Sequence, residues 1–404
     1  MKIWKKLSPD EIKNRVFNAL NSNVNYYESN ILGIPASHLD NKVYYQDAPF
    51  LSNAPYLSTL IHNPNHIGCH TLGKSESFFQ GTQEIEQELI KVCSEEILRG
   101  EENGFDGYVA SGGTEANMQA VWVYRNFFKQ EFQCTNEEIC ILCSEDSHYS
   151  MSKAGNVLSL HTEYISVDEK RKPTEESLTE IIEKQLKEGR KYFIVVANMM
   201  TTMFGSVDQV STYTSILKKY KCQYKIHIDG AYGGFFYPFA DDNNPLDFSN
   251  PEVSSVTLDA HKMLQAPYGT GIFLIRKGLI KYANTKEASY VEGEDFTLIG
   301  SRSGANAIAV WMILMTYGPY GWREKILILL NRADWICAQL DTKKIRYYRE
   351  HASNIVTIDA NDIKEETAKK YGLVPDNHAA PKWFKIVIME HVTIENLEPF
   401  VNEI

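Results

Sequence analysis

A chain of 404 residues with 43% hydrophobic and 23% charged residues has apolar surface for a large buried core, and 12% aromatics exclude a disordered chain. The formal net charge of −11, with acids and bases interspersed, argues against a nucleic-acid surface or an acidic-membrane partner. No apolar stretch follows the basic N-terminus and no apolar run outlasts Ala307–Met315, so neither a secretory signal nor a membrane span is expected.

Seven cysteines at irregular spacing do not form a disulfide framework and point to a reducing, cytoplasmic setting. Cys140 and Cys143 make a lone C-x-x-C in an apolar strand pattern with no second ligand pair nearby. Buried thiols explain them better than zinc, and no metal site is expected.

Residues 1–55, with Tyr26–Tyr27, Tyr44–Tyr45 and many loop signals, read as an arm that needs a partner surface. From residue 105 short apolar runs alternate with amphipathic ones. Phe105–Ala110 reads as a strand, followed by the turn Ser111-Gly112-Gly113-Thr114 and a helix in which Met118, Val121 and Trp122 share a face. Glu138–Cys143 is a second strand. Thr174 caps a helix carrying Leu178, Ile181 and Ile182, and Gly189 stops it. Tyr192–Ala197, Tyr224–Ile228, Ser255–Leu258 and Gly271–Ile275 complete the strands. Strands alternating with helices predict an α/β domain over 56–283 with a mainly parallel sheet. The character changes near residue 284: a polar loop to Asp295, helices over about 305–317 and 322–340, and a short α+β tail predict a small C-terminal domain over 284–404.

Four fragments fall at predicted strand ends, where α/β proteins gather their ligands. The turn Ser111–Thr114, continuing Glu115-Ala116-Asn117, sets backbone N–H groups and a hydroxyl at a helix start, a seat for phosphate. It is neither G-x-G-x-x-G nor a Walker A loop. Ile226-His227-Ile228-Asp229-Gly230-Ala231-Tyr232 ends a strand on an acid and a small residue, and Asp259-Ala260-His261-Lys262 follows another. A lysine and a carboxylate at neighbouring strand ends suit pyridoxal phosphate: the amine attaches the cofactor, and the carboxylate keeps the pyridine nitrogen protonated. A structural ion pair is the plainer reading of those two residues alone. The fourth fragment is Ser147-His148-Tyr149-Ser150.

The order of these fragments resembles the group II pyridoxal-phosphate amino-acid decarboxylases of the aspartate-aminotransferase fold (fold type I), and most nearly the bacterial histidine decarboxylases. Between Ser147–Ser150 and Ile226–Tyr232, Asn198-Met199-Met200-Thr201-Thr202-Met203-Phe204-Gly205-Ser206-Val207-Asp208 matches the segment N-x-GTT-x-x-G-x-x-D, except that Met200 stands where the family has Gly. The resemblance implies that Lys262 attaches the cofactor and Asp229 pairs with its ring nitrogen. It places Ala231 and His148 on opposite ring faces, and Gly113, Thr114 and His261 around the phosphate. Thr201 or Thr202 would lie near the ring hydroxyl or the substrate carboxylate. Tyr290–Arg302 resembles a family loop that reaches the neighbouring subunit, making Tyr290 a candidate proton donor and Gly300 and Ser301 candidate phosphate contacts across a homodimer.

The implied reaction is α-decarboxylation of an L-amino acid to its amine, with a histidine-like, aromatic or acidic side chain. The alternatives are a carbon–carbon lyase of the sphingosine-phosphate type and a catalytically silent binding protein that keeps the fold. His62, His66, Cys69, His70 and Phe78–Phe79 are candidates for a side-chain pocket and equally for core packing.

Overall fold

The computed structural model describes residues 30–33, 40, 42–43, 65–67, 80–284 and 294–404, with backbone alone at 65–67 and 80–81. Among these, β1 (Asn65–Ile67) precedes α1 (Gln80–Lys91) and β2 (Phe105–Ala110). Then come α2 (Gly113–Phe132), β3 (Ile139–Ser144), α3 (Ser150–Leu158), β4 (His161–Ile165), α4 (Glu175–Lys187), β5 (Tyr192–Asn198) and α5 (Val210–Lys219). The large sheet is completed by β6 (Gln223–Gly230), β7 (Val253–Asp259) and β8 (Gly271–Arg276). After β9 (Ser301–Ser303) follow α6 (Gly304–Lys343), β10 (Tyr347–Tyr348), β11 (Ile355–Asp359), α7 (Glu365–Lys370), β12 (Val374–Pro375), β13 (Trp383–Val387) and α8 (Ile394–Glu403).

The seven-stranded sheet has the order β2-β8-β7-β6-β5-β3-β4. Only β8 runs against the rest, pairing antiparallel with β2 and β7, while the other pairs are parallel. Its strands are apolar on both sides because each side is covered. In β5, Phe193, Val195 and Ala197 enter one hydrophobic cluster, with Leu217, Trp322 and Ile355. Ile194 and Val196 enter the other, with Phe128, Ile141 and Phe273. This alternation is the two-residue period of a strand sandwiched between layers.

Thr174 caps α4 as its sequence predicts, accepting from the Ser177 N–H at 3.1 Å, and Gly189 ends the turn beyond it at φ 87°. The two predicted C-terminal helices both form within α6, separated by a break where Gly318 takes φ 60° before Pro319. The edge strand β4 has no counterpart in the sequence reading, because only Ile165 of its five residues is buried and no long apolar run marks it.

A second, four-stranded sheet, β10-β11-β13-β12, is antiparallel throughout. It meets the large sheet at the turn after β5: Thr357 donates to the Met203 carbonyl at 3.0 Å and the Val207 N–H to Glu350 at 3.3 Å. The described pieces of the predicted arm pack on their own chain. Leu32 accepts from the Val387 N–H at 2.8 Å, while Asp40 accepts from Tyr317 at 2.6 Å and pairs with Lys325 at 3.0 Å. The rest of that segment lies outside the described residues.

Candidate active site

The parallel strands end along one edge of the large sheet, and their last residues surround a cleft. Two connected cavities occupy it. The deeper is lined by His148, Asn198, Met200, Thr201, Thr202, Asp229, Ala231, Tyr232 and Lys262. The outer, of about 330 Å³, is lined by the glycine turn Ser111–Glu115, Asn117, His148, Tyr149, Ala231, Asp259, His261 and Lys262. His148, Ala231 and Lys262 therefore border both.

At the deep end, Asp229 completes β6 and is buried. One carboxylate oxygen accepts from the Asn117 side-chain amide at 2.8 Å and the other from the Ala231 N–H at 3.1 Å. Both bonds leave the group acceptor-only, as a carboxylate that faces a ring N–H must be. His148 borders the cavity from the loop after β3, and burial moves its imidazole pKa below the ordinary histidine value. Thr201 is buried and its hydroxyl is bonded to that of Ser206 at 2.7 Å, closing the turn. Thr202 is exposed and offers its side chain at the cleft mouth, which separates the two threonines that the motif left equivalent.

Asn198 ties this end together. Its N–H and side-chain amide both donate to Asp208 at 2.8 Å, and the amide also reaches Ser144 and Ser147. Met200, the departure from the family pattern, sits at φ 69°, a conformation that suits Gly and strains other residues. The turn therefore keeps its left-handed shape with a side chain in place, and Met200 is buried. Opposite it, a Cβ on Gly233 would lie 2.2 Å from the Met199 carbonyl oxygen, so only glycine permits the loop after β6 to approach so closely.

At the outer end, α2 begins at Gly113 directly after the turn. Glu115 folds back to accept from the Ser111 N–H at 2.7 Å and from Tyr108 at 3.1 Å, so it shapes the turn without facing the cavity alone. A Cβ on Gly113 would crowd Ala231 at 3.0 Å and Asp259 at 3.1 Å. Asp259 accepts from the Gly113 N–H at 3.2 Å and lies 2.8 Å from His261 Nδ1 and 3.6 Å from Lys262 Nζ. Charge and backbone donors thus converge on one side of the cavity and a lysine amine stands at its centre.

Gly300 and Ser301 are not in this cleft. Ser301 starts β9, which pairs with β1, and Arg302 beside it is buried against Glu86 of α1 and the Val109 carbonyl. Tyr290, His62, Cys69, His70 and Phe78–Phe79 lie outside the described residues, and His66 is described in backbone only.

Lys385, absent from the sequence reading, borders the cleft from β13. It is 4% exposed, donates to the Thr202 carbonyl at 2.9 Å, and its pKa is lowered to about 8 by burial and then by the nearby Lys262 charge. Beside it a third cavity of about 520 Å³ opens, with Tyr149, Arg171, Phe204 and Trp383 in its wall. Phe204 and Trp383 meet edge to face with ring centroids 5.9 Å apart. Nothing in the sequence marks Lys385: a lysine in a strand pattern ordinarily snorkels to water.

Comparison with known proteins identifies this arrangement. The pyridoxal-dependent decarboxylase conserved domain matches residues 81–348. The chain belongs to that family. It is 50% identical over 406 aligned positions, covering 100% of this chain and 97% of the relative, to the tryptophan decarboxylase of Clostridium sporogenes. It is 30% identical to a probable L-aspartate decarboxylase of Archaeoglobus fulgidus, covering 80% and 85% of the two chains. Among solved structures, the L-methionine decarboxylase of Streptomyces sp. superposes with a TM-score of 0.78 at 18% identity, covering 98% of this chain and 94% of that one. The sphingosine-1-phosphate lyase of Burkholderia pseudomallei gives a TM-score of 0.80 at 15% identity over 100% and 91%. The fold is thus shared by decarboxylases and a lyase, and the sequence relatives decide between them. The protein is a pyridoxal-phosphate-dependent amino-acid decarboxylase of fold type I.

The cleft fits that cofactor on its own terms. It offers an acceptor-only carboxylate at its base and a small residue and an imidazole at its walls. At its mouth stands a helix start with a glycine whose Cβ would fill the cradle. Among the described residues no helix is long and apolar enough to cross a membrane.

Proposed function

We propose that the protein decarboxylates an aromatic L-amino acid, L-tryptophan foremost, to the corresponding arylalkylamine and carbon dioxide. The observation that carries this reading is the aromatic-walled cavity beside Lys385. Its volume of about 520 Å³ falls in the range of small-ligand pockets, about 300–1,000 Å³. Its arginine is already committed: Arg171 pairs with Asp146 and stacks 4.0 Å over the Phe204 ring, so it is poorly placed to receive an acidic side chain. The name of the 50% identical relative supports the same substrate. This narrows the expected histidine-like, aromatic or acidic side chain to an aromatic one.

In this reading Lys262 attaches the cofactor, Asp229 pairs with its ring nitrogen, and Ala231 and His148 face its two sides. Gly113, Thr114 and His261 hold its phosphate. When bound, the cofactor supplies an electron sink for the pair left behind as carbon dioxide departs. The chain's residues do the rest. Asp229 keeps the ring nitrogen protonated, and Lys385 offers one buried ammonium to the substrate carboxylate. The aromatic wall would orient the side chain and, with Lys385, fix the direction of the carboxylate. Thr202, at the mouth, borders the carboxylate site; Thr201 shapes the turn.

The test is a survey of carbon dioxide release by the cofactor-loaded protein across the twenty amino acids, dopa, ornithine and diaminobutyrate. Tryptophan is expected to give the highest kcat/KM. A preference for aspartate or glutamate would overturn the aromatic assignment.

We further propose a cytoplasmic homodimer organised as an arm (1–55), a large cofactor domain (56–283) and a small domain (284–404). The seven-stranded and four-stranded sheets fall within the latter two ranges, with the β1–β9 pair joining them, and the placement of Gly300 before β9 and Ser301 on it, away from their own cleft, suits service to a partner subunit. Tyr290 would then donate the proton to the neighbouring site. Mixing Lys262→Ala and Tyr290→Phe subunits, each inactive alone, is expected to restore up to about a quarter of full activity in hybrids. No recovery after verified exchange would exclude shared sites.

A further inference from the structure

Behind the cleft lies a continuous set of buried polar side chains, and the acceptor-only Asp229 at one end directs the hydrogen bonds that run through it, with the Thr257 hydroxyl a second acceptor 3.2 Å from His227 Nε2. Asn117, on α2, is its hub. The Asp229 carboxylate can only accept, so Asn117 must present its amide nitrogen there, at 2.8 Å. Its carbonyl oxygen then faces His227 Nε2 at 2.9 Å and requires a hydrogen on that nitrogen. His227 is fully buried, with its pKa lowered to about 4 by burial, and is neutral. Its Nδ1 consequently accepts from Ser255, 2.7 Å away, and Ser255 in turn accepts from Tyr124.

The second Asn117 amide hydrogen goes the other way, to the Ser150 hydroxyl oxygen at 3.1 Å. Ser150 must therefore spend its own hydrogen elsewhere, and His148 Nδ1 stands 3.0 Å from it. The Ser150 N–H reaches the same nitrogen at 3.3 Å. Two donors on Nδ1 leave the ring proton on Nε2.

We propose that Asn117 and Ser150 are positioning residues that fix the Asp229 carboxylate and hold His148 as a neutral imidazole protonated at Nε2. The inference rests on the cofactor placement proposed above. Asp229, gripped by Asn117 and by the Ala231 N–H, is kept from rotating away from the ring nitrogen. A neutral His148 adds no positive charge against a ring that must itself stay protonated. An imidazolium there would compete with the ring N–H for the Asp229 charge. Protonating Nδ1 would set a donor against both Ser150 donors, so the chain from Tyr124 to His148 works against that state.

The experiment is long-range proton–nitrogen correlation on the cofactor-loaded protein labelled with nitrogen-15 histidine, with His148 identified by its absence from His148→Gln. The wild type is expected to show His148 protonated at Nε2 alone. Ser150→Ala is expected to lose that preference and to lower kcat about tenfold with KM little changed, the scale of removing a supporting hydrogen bond. Ser150→Thr, which keeps the hydroxyl, is expected to restore both. Asn117→Ala is expected to lose the tautomer and weaken cofactor retention as well. A wild-type His148 protonated at Nδ1, or doubly protonated, would overturn the proposal. So would Ser150→Ala with an unchanged tautomer and kcat. Should Ser150→Ala fail to fold, the wild-type and Ser150→Thr spectra decide alone. Failure of the cofactor placement shows separately, as lysine-linked absorbance that survives Lys262→Ala.

Discussion

The two ends of the cleft are built by different means. The outer end is made of two short contiguous pieces, the glycine turn with the first turn of α2 and the strand end Asp259–Lys262, joined by the bond from the Gly113 N–H to Asp259 and partly open to solvent. The deep end is assembled side chain by side chain: Asn117 meets Asp229 across 112 positions and His227 across 110, and these three groups are all buried. A phosphate needs donors and charge, which backbone supplies wherever a helix starts. Holding one carboxylate at a fixed angle to a ring nitrogen needs side chains that are themselves held, and that takes a packed interior. The outer end should therefore govern how tightly the cofactor binds, and the deep end how fast the bound cofactor works.

Lys262 belongs to both ends, and its removal should break both. Lys262→Ala is expected to lose the borohydride-sensitive absorbance near ~400 nm and to fall at least about a thousandfold in turnover, the scale for a group that reacts covalently. Absorbance persisting at full strength would refute the assignment. Asp229→Asn addresses the deep end alone. Cofactor should be retained through the outer end while kcat drops about a hundredfold to a thousandfold, as when a preorganised charge is lost. Equilibrium dialysis beside steady-state kinetics separates the two effects.

Thr114→Ala and Gly113→Ala address the outer end. Each is expected to weaken cofactor binding about tenfold to a hundredfold, one charge-assisted hydrogen bond's worth, with kcat at saturating cofactor nearly kept. A fall in kcat with affinity intact would dissolve the contrast between the ends.

Lys385 sharpens the contrast, because it reaches the cleft from the small sheet through the Thr202 carbonyl, at a cost in stability. Its pKa is lowered from 10.5 to about 8, so between those values the unfolded chain binds a proton that the folded chain does not. Stability from this site therefore rises with pH across that window. Lys385→Met should remove that rise, seen in urea midpoints at about pH 7 and about pH 10, and raise the midpoint at the lower pH by removing a buried charge. It should also lower kcat/KM about tenfold or more if the ammonium meets the substrate carboxylate. Lys385→Arg should instead carry the alkaline limb of kcat/KM above about pH 8, since a guanidinium keeps its charge.

The smallest effect concerns the turn at the deep end. At φ 69°, Met200→Gly should destabilise by about 1–2 kcal/mol, because relief of left-handed strain offsets part of the lost burial. Met200→Ala keeps the strain and loses most of the side chain, so it should unfold at lower urea than Met200→Gly. The reverse order would mean that Met200 is not strained.

What the sequence determined by itself is what short stretches of backbone can specify. Thr174 and Gly189 bound a helix through local hydrogen bonds and a left-handed φ; Gly112-Gly113-Thr114 starts another; β-branched runs make strands whose ends carry Asp229 and Lys262. The parallel arrangement follows from strands alternating with helices, so the fold class and the residues at the strand ends were open to reading. Tertiary structure alone decided the rest. The reversal of β8, the burial of Lys385 against a loop carbonyl 183 positions away, and the aromatic pair Phe204–Trp383 leave no local mark. The same holds for the direction of the hydrogen bonds from Tyr124 to His148. A lysine, a serine or an asparagine has the same local preferences in water as in a core. Its role is set by the partners that packing brings within about 3 Å, where loss of water makes each pairing obligatory.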